Sequence, residues 1–229
     1  MNLDDENDPK IVYRRHFLLG LLATGAFASS TSLRAAERDT SPQRSIHLLE
    51  GTVLVNGVNA SKNTIISPND SIKTGKNGRV VFAVGHDAFI LRNNSELNLS
   101  NDALLVGGLR LLTGKMLAVF GKSKHQIDTP TATIGIRGTG VYLEASPDLT
   151  YFCTCYGITD IKGINNIDFV ETIDSKYHDL PKYITQKGEI RPAPLINHTD
   201  EELMLIESLV GRTTPFAAFD DDYSGPNKY

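Results

Sequence analysis

Between residues 45 and 156 the chain is interrupted every few residues by turn-forming dipeptides, with no helix-length run between them. Thr52-Val53-Leu54-Val55 stops at Asn56-Gly57, among the strongest turn pairs, and Ser71-Ile72-Lys73-Thr74 stops at Gly75. Asn77-Gly78 introduces Val80-Val81-Phe82-Ala83-Val84, and Gly85-His86-Asp87 leads to Ala88-Phe89-Ile90-Leu91. Asn93-Asn94, Asn101-Asp102, Gly107-Gly108 and Gly114 then precede, in turn, Leu97-Asn98-Leu99, Ala103-Leu104-Leu105-Val106, Leu109-Arg110-Leu111-Leu112 and Met116-Leu117-Ala118-Val119-Phe120. Turn signals about every 7–12 residues around runs of strand length predict a mainly β domain. The alternation in Leu97-Asn98-Leu99 and Leu109-Arg110-Leu111 places one face inward and leaves the other wet. Such spacing suits a sandwich, a barrel or a solenoid, and periodicity does not choose among them.

One stretch is more specific: Ile127-Asp128-Thr129-Pro130-Thr131-Ala132-Thr133-Ile134-Gly135-Ile136-Arg137-Gly138-Thr139-Gly140. It reads as a turn, a strand, a glycine corner and a second strand through Val141-Tyr142-Leu143-Glu144. Pro130 supplies no backbone N–H, so pairing begins beyond it, and Gly138 and Gly140 free the backbone where it bends. Thr129, Pro130, Arg137, Gly138 and Thr139 are read as structural, with the arginine satisfied by a carboxylate or carbonyl groups.

The order of these pieces resembles that of FecR-type domains. Val55-Asn56-Gly57, Ile72-Lys73-Thr74-Gly75, Leu109-Arg110-Leu111-Leu112-Thr113-Gly114-Lys115 and Thr129-Pro130 to Arg137-Gly138-Thr139 carry the resemblance, across about residues 46–145. Pro68-Asn69-Asp70 stands where the family more often has Gly-Asp. The resemblance implies a β-helical or solenoid-like periplasmic domain of short strands that binds partners and performs no chemistry. Relatives carry a cytoplasmic anti-sigma segment and a membrane helix. The dozen or so residues ahead of the export signal described next are too few to form a domain. Sigma-factor regulation is therefore not carried over with the resemblance.

Tyr13-Arg14-Arg15-His16-Phe17-Leu18-Leu19, followed by an apolar run to Ala28, resembles a twin-arginine (Tat) export signal within residues 1–36. The apolar run is far below the roughly 20 residues needed to span a bilayer, which fits a cleaved signal better than an anchor. Ala26-Phe27-Ala28 and Leu33-Arg34-Ala35 are alternative cleavage points, and an uncleaved N-terminal anchor is the minor alternative. The expected location is the periplasm, with no stable membrane span in the mature chain.

Beyond a β domain at 45–145, a C-terminal extension at 146–215 holds the unusual residues. Leu149-Thr150-Tyr151-Phe152-Cys153-Thr154-Cys155-Tyr156 reads as a strand whose period of two puts both thiols on one face. Asp168-Phe169-Val170-Glu171-Thr172 and Lys182-Tyr183-Ile184-Thr185 are further strand candidates. Thr199-Asp200-Glu201-Glu202 has the pattern of a capping box, with Leu203, Ile206 and Val210 at helical spacing and Gly211 at the stop. This predicts one helix over 199–210. Residues 216–229, rich in aspartate, read as a flexible acidic tail.

Cys153 and Cys155, the chain's two cysteines, with His178 and His198 make a four-ligand set suited to zinc or copper. A Cys-x-Cys disulfide on an extended strand is strained, since its Cα atoms sit near the roughly 7 Å limit for bridging. Inert buried thiols, surface histidines and a local disulfide are the competing account. His47, His86 and His125 lie in or beside strands at no ligand-like spacing.

The formal net charge of −4 gives no basic field for nucleic acid. A nucleophile, base and orienter can be drawn as Cys153, His178 and Asp179, but no nucleophile elbow, zinc-protease, phosphate-loop or dinucleotide motif accompanies them. The expected function is therefore a non-catalytic binding or sensing module for an envelope protein, cell-wall glycan or peptide. The alternative is a periplasmic metal-binding or redox-responsive protein built on the cysteine strand.

Overall fold

The computed structural model describes residues 45–102 and 105–217, and the export segment read at 1–36 lies outside them. Fourteen strands and one helix follow in order: β1 (Ile46–Glu50), β2 (Val53–Val55), β3 (Val58–Asn59), β4 (Ser71–Thr74), β5 (Arg79–Val84), β6 (Asp87–Leu91), β7 (Glu96–Asp102), β8 (Leu105–Val119), β9 (Lys124–Asp128), β10 (Ala132–Ala145), β11 (Leu149–Gly163), β12 (Asn166–Ser175), β13 (Lys182–Thr185), β14 (Ile190–Pro192) and α1 (Asp200–Leu209). All strands belong to one open, mixed sheet. Its main path runs β14-β13-β11-β10-β9-β8-β7-β4-β2-β3, and β8–β9 is the one parallel pairing among the described strands. A mainly β fold with a single C-terminal helix agrees with the sequence reading.

Three long strands let this sheet coil on itself. The first half of β10 pairs with β9, and its second half, Gly140 to Ala145, pairs with the end of β8. Likewise β8 pairs first with β7 and then with β6. Gly114 and Gly138 to Gly140, which read as breaks between strands, are irregularities inside strands, with left-handed backbone at Gly114 (φ +96) and Gly138 (φ +61). A Cβ on Gly140 would collide with the Tyr156 ring, so only glycine lets β11 cross there.

Two cores result. The larger one holds Ile72, Phe82, Leu97, Leu111, Ile127, Ile134, Leu143 and Phe152 among others. The second lies on the other face of β5, β6, the end of β8, β10 and β11, and contains Val81, Ile90, Leu117, Tyr142, Cys153, Cys155 and the helix residues Leu203 and Ile206. Strands covered on both faces read as unbroken apolar runs, hence Val80-Val81-Phe82 and Met116-Leu117-Ala118-Val119. Where one face stays wet, as at Leu109-Arg110-Leu111, the run alternates: Arg110 is exposed between two buried leucines.

The helix begins as its sequence dictates. Thr199 accepts from the Glu202 backbone N–H and the Glu202 carboxylate accepts from the Thr199 backbone N–H, a complete capping box. Glu202 also reaches Arg92 at 2.8 Å and Arg79 at 3.4 Å, tying the first turn of α1 to β5 and to the residue after β6. Phe216, assigned by sequence to the tail, is buried: it packs edge-on against the rings of Tyr156 and Tyr177. Ordered packing therefore extends past residue 215, and 218–229 lie outside the described residues.

Candidate metal centre

Alternation along β11 sends Phe152 into the larger core and Tyr151, Cys153 and Cys155 into the second. Both thiols are fully buried and unbridged. Above them stands the turn that follows β12. His178 donates its backbone N–H to the Cys155 carbonyl at 2.8 Å, pinning this turn to the cysteine strand. Asp179 closes the turn itself, its carboxylate accepting from the backbone N–H groups of Lys176 at 3.0 Å and Tyr177 at 3.3 Å. His178 and Leu180 adopt left-handed backbone, φ +50 and +52, a conformation that non-glycine residues hold only where their surroundings over-determine it. His198 arrives from the other side, just before the N-cap, after Asn197 turns the chain with φ +58.

The four predicted ligands converge. His178 Nδ1 lies 3.0 Å from His198 Nε2 and 3.8 Å from Cys153 Sγ, and all four donor atoms lie within 4.8 Å of one another. A tetrahedral ion with bonds of about 2.3 Å to sulfur and 2.0 Å to nitrogen would separate its donors by roughly 3.3–3.8 Å. The 3.0 Å His178–His198 and 3.8 Å Cys153–His178 separations lie close to that range, while the four donors together spread to as much as 4.8 Å. The histidines are buried too, 9% and 8% exposed, unlike the surface histidines of the competing account.

Outer partners set which nitrogen faces the cluster. His178 Nε2 donates to Asp200 Oδ1 at 2.8 Å, and His198 Nδ1 donates to the Ile196 carbonyl at 2.7 Å. With those N–H groups turned outward, the inward nitrogens both present lone pairs, 3.0 Å apart. Such a pair needs a cation, which either a shared proton or a metal ion supplies. The Tyr142 ring stacks on His198 with centroids 4.5 Å apart, holding the second imidazole in plane.

The electrostatics favour a thiolate at Cys153 with a proton held among the imidazoles, a proton that a bound cation would displace. Cys153 is pulled down to about 4, first by its hydrogen bond with Cys155 and then, against the cost of burial, by His178 and His198. Burial pushes Cys155 well above the ordinary thiol range, with Cys153 adding to the effect. Burial works against a charged His178, yet Cys153 and Asp200 outweigh it and raise its pKa. A thiolate beside imidazoles is the donor chemistry that soft d¹⁰ cations prefer.

Cys153, His178 and Asp200 also fall in the order nucleophile, base, orienter, with Asp200 in the place sequence reasoning gave to Asp179. Cys153 is fully enclosed, and it lines neither the Tyr151–Tyr183 cleft nor the Tyr156–Phe216 cavity. The glycine corner has a different role. Thr129 and the backbone of Ala132 close the turn around Pro130, Thr139 is fully buried, and Arg137 pairs with Asp160. His125, at 4.9 Å between ring centroids, packs on Phe120, far in sequence from the cluster.

Fold and site together define a mainly β domain with a buried two-cysteine, two-histidine donor set beneath its one described helix. No family model and no curated protein matches the chain. Two solved structures of a candidate anti-sigma factor from Parabacteroides distasonis ATCC 8503 are similar to it, each with 10% identity, a TM-score of 0.45 and coverage of 54% of this chain. The match spans 58% of that protein's chain. At this score the likeness defines neither the fold nor the function of the present chain. Among the described residues no helix is long and apolar enough to cross a membrane.

Proposed function

We propose that this chain is an exported, non-catalytic sensing domain of the periplasm whose bound species is a soft metal ion, zinc or copper(I), held by Cys153, Cys155, His178 and His198. The observation that carries this reading is the convergence of four donor atoms within 4.8 Å from three separate stretches of chain. The twin-arginine motif supports the location: that route carries folded proteins, so the ion can be inserted in a reducing compartment before translocation. The test is metal analysis of the full chain purified without chelator, followed by titration with zinc and with copper(I) against a competing chelator. One ion per chain, lost in Cys153→Ser/Cys155→Ser, supports the reading. Absence of stoichiometric binding of either ion by folded protein overturns it.

A second reading, recognition of a glycan or peptide, is favoured by a cleft of about 410 Å³ beside the cluster. Tyr151, Tyr183, Asn93, Asn94, Lys115 and Glu144 line it, offering ring faces and polar groups together. A pull-down of envelope extract with wild-type protein and with Tyr183→Ala separates the two readings. Partner capture that depends on Tyr183 but not on the cysteines favours the cleft.

A further inference from the structure

The geometry points to Asp200 as the positioning residue of this centre: its carboxylate commits His178 to present Nδ1 to the ion. The inference rests on the metal reading above and deepens it. Asp200 Oδ1 accepts from His178 Nε2 at 2.8 Å, while Oδ2 accepts from the Tyr177 hydroxyl at 2.6 Å, so the carboxylate is held at both ends. As the first residue of α1 it also sits where the helix dipole favours negative charge. An imidazole has two nitrogens, and only one arrangement of its proton leaves Nδ1 free to ligate. A carboxylate that only accepts hydrogen bonds enforces that arrangement, whereas an amide, which also donates, does not. The Ile196 carbonyl does the same for His198, but as a backbone group it is not removed by substitution. Carboxylate–imidazole–metal relays of this kind raise ligand basicity and fix ring orientation.

Nothing about Asp200 requires a ligand if it is merely a good N-terminal helix residue, so the test separates the two roles. Zinc affinity of the full chain is measured by chelator competition for wild type, Asp200→Asn, Asp200→Glu, Tyr177→Phe and Glu201→Gln. Glu201 is an exposed acid in the same helical turn and touches no member of the cluster. Asp200→Asn is expected to weaken zinc binding about 10–100-fold with one ion per chain retained. Asp200→Glu recovers part of that loss, Tyr177→Phe moves the same way by a smaller factor, and Glu201→Gln leaves affinity unchanged. Nitrogen NMR of the zinc-loaded protein should show His178 protonated at Nε2 in wild type and losing that single state in Asp200→Asn. Wild-type affinity and an unaltered His178 tautomer in Asp200→Asn overturn this inference and leave the metal site standing. Failure of the wild type to bind zinc or copper(I) overturns the metal site itself. Should Asp200→Asn not fold, Tyr177→Phe decides by the same two measurements.

Discussion

Replacing Glu202 with alanine tests how the N-terminus of α1 is held, and with it the placement of His198 and Asp200. This carboxylate has two jobs. It closes the capping box on the Thr199 backbone N–H at 3.3 Å, and it faces Arg92 at 2.8 Å and Arg79 at 3.4 Å. The capping contact is long, so its loss costs about 0.5 kcal/mol, the low end for a cap. Truncating one partner of a buried ion pair costs about 3–5 kcal/mol, and a surface pair is worth about 0.2–1 kcal/mol. Here the side chains are 19% exposed for Glu202, 26% for Arg92 and 35% for Arg79, which places the pair between these limits, at about 1.5 kcal/mol. The total loss is then about 2 kcal/mol, a fall in Tm of about 4–8 °C for a domain of this size. Differential scanning fluorimetry of Glu202→Ala against Glu201→Ala reads this directly. The exposed Glu201 should shift Tm by no more than about 2 °C. Equal shifts in the two variants would show that the arginine pair does not anchor the helix.

Other substitutions probe the remaining links. Gly140→Ala forces a methyl group into the Tyr156 ring, and a cost of about 1–3 kcal/mol should appear in urea unfolding; an unchanged midpoint would remove the close-approach argument. Arg137→Ala should cost under about 1 kcal/mol, because its side chain is 56% exposed and its pairing with Asp160 is screened by water; loss of metal binding with unchanged melting would instead give Arg137 a functional role. Acid sensitivity has a defined sign. Burial pulls Glu144 upward, but Asn197, Tyr142 and Lys115 outweigh it and lower its pKa, and Thr172, against a smaller burial effect, with Arg137 lowers that of Asp160. Folded values below the unfolded ones mean that both groups stabilise the fold above about pH 4 and lose that contribution as pH falls through the folded values. The part of the stability carried by these two carboxylates should therefore hold from neutral pH to about 5 and fall away below about 4, read as the difference in Tm between wild type and Glu144→Gln/Asp160→Asn. An identical acid profile in the two proteins would contradict the assignment.

Much of the strand arrangement can be read locally. Asn56-Gly57 turns β2 into β3 with left-handed backbone at both residues, φ +52 and +79, as the dipeptide demands. The helix follows from the Thr199-to-Glu202 box and its apolar spacing. What stays hidden is non-local. The parallel pairing of β8 with β9 depends on residues brought together by the coiling of the sheet, and β9 itself has no local strand signature. A glycine read alone also fails to separate a turn from a bulge: at Gly114 and Gly138 the partner strand decides.

The site shows the same division. Cys153 and Cys155 are paired by strand period, and the two histidines are suggested by donor type alone. The turn that seats His178 is carried by Asp179, whose role is backbone capping, while the residue that orients the imidazole is Asp200. A carboxylate two positions beyond His198 is the signal that could have found it. It is masked in the sequence by an equally good explanation, since acids are favoured in any first helical turn.

The donors of the cluster come from β11, the turn after β12 and the approach to α1, spanning residues 153 to 198. A chain in which these three segments have not yet met can offer an ion only the Cys-x-Cys pair, with two ligands instead of four. Under the proposed reading, tight uptake is thus a property of the finished tertiary structure. Occupancy would then act as a certificate of assembly for the C-terminal third, and a chelator would act on that third as a local denaturant.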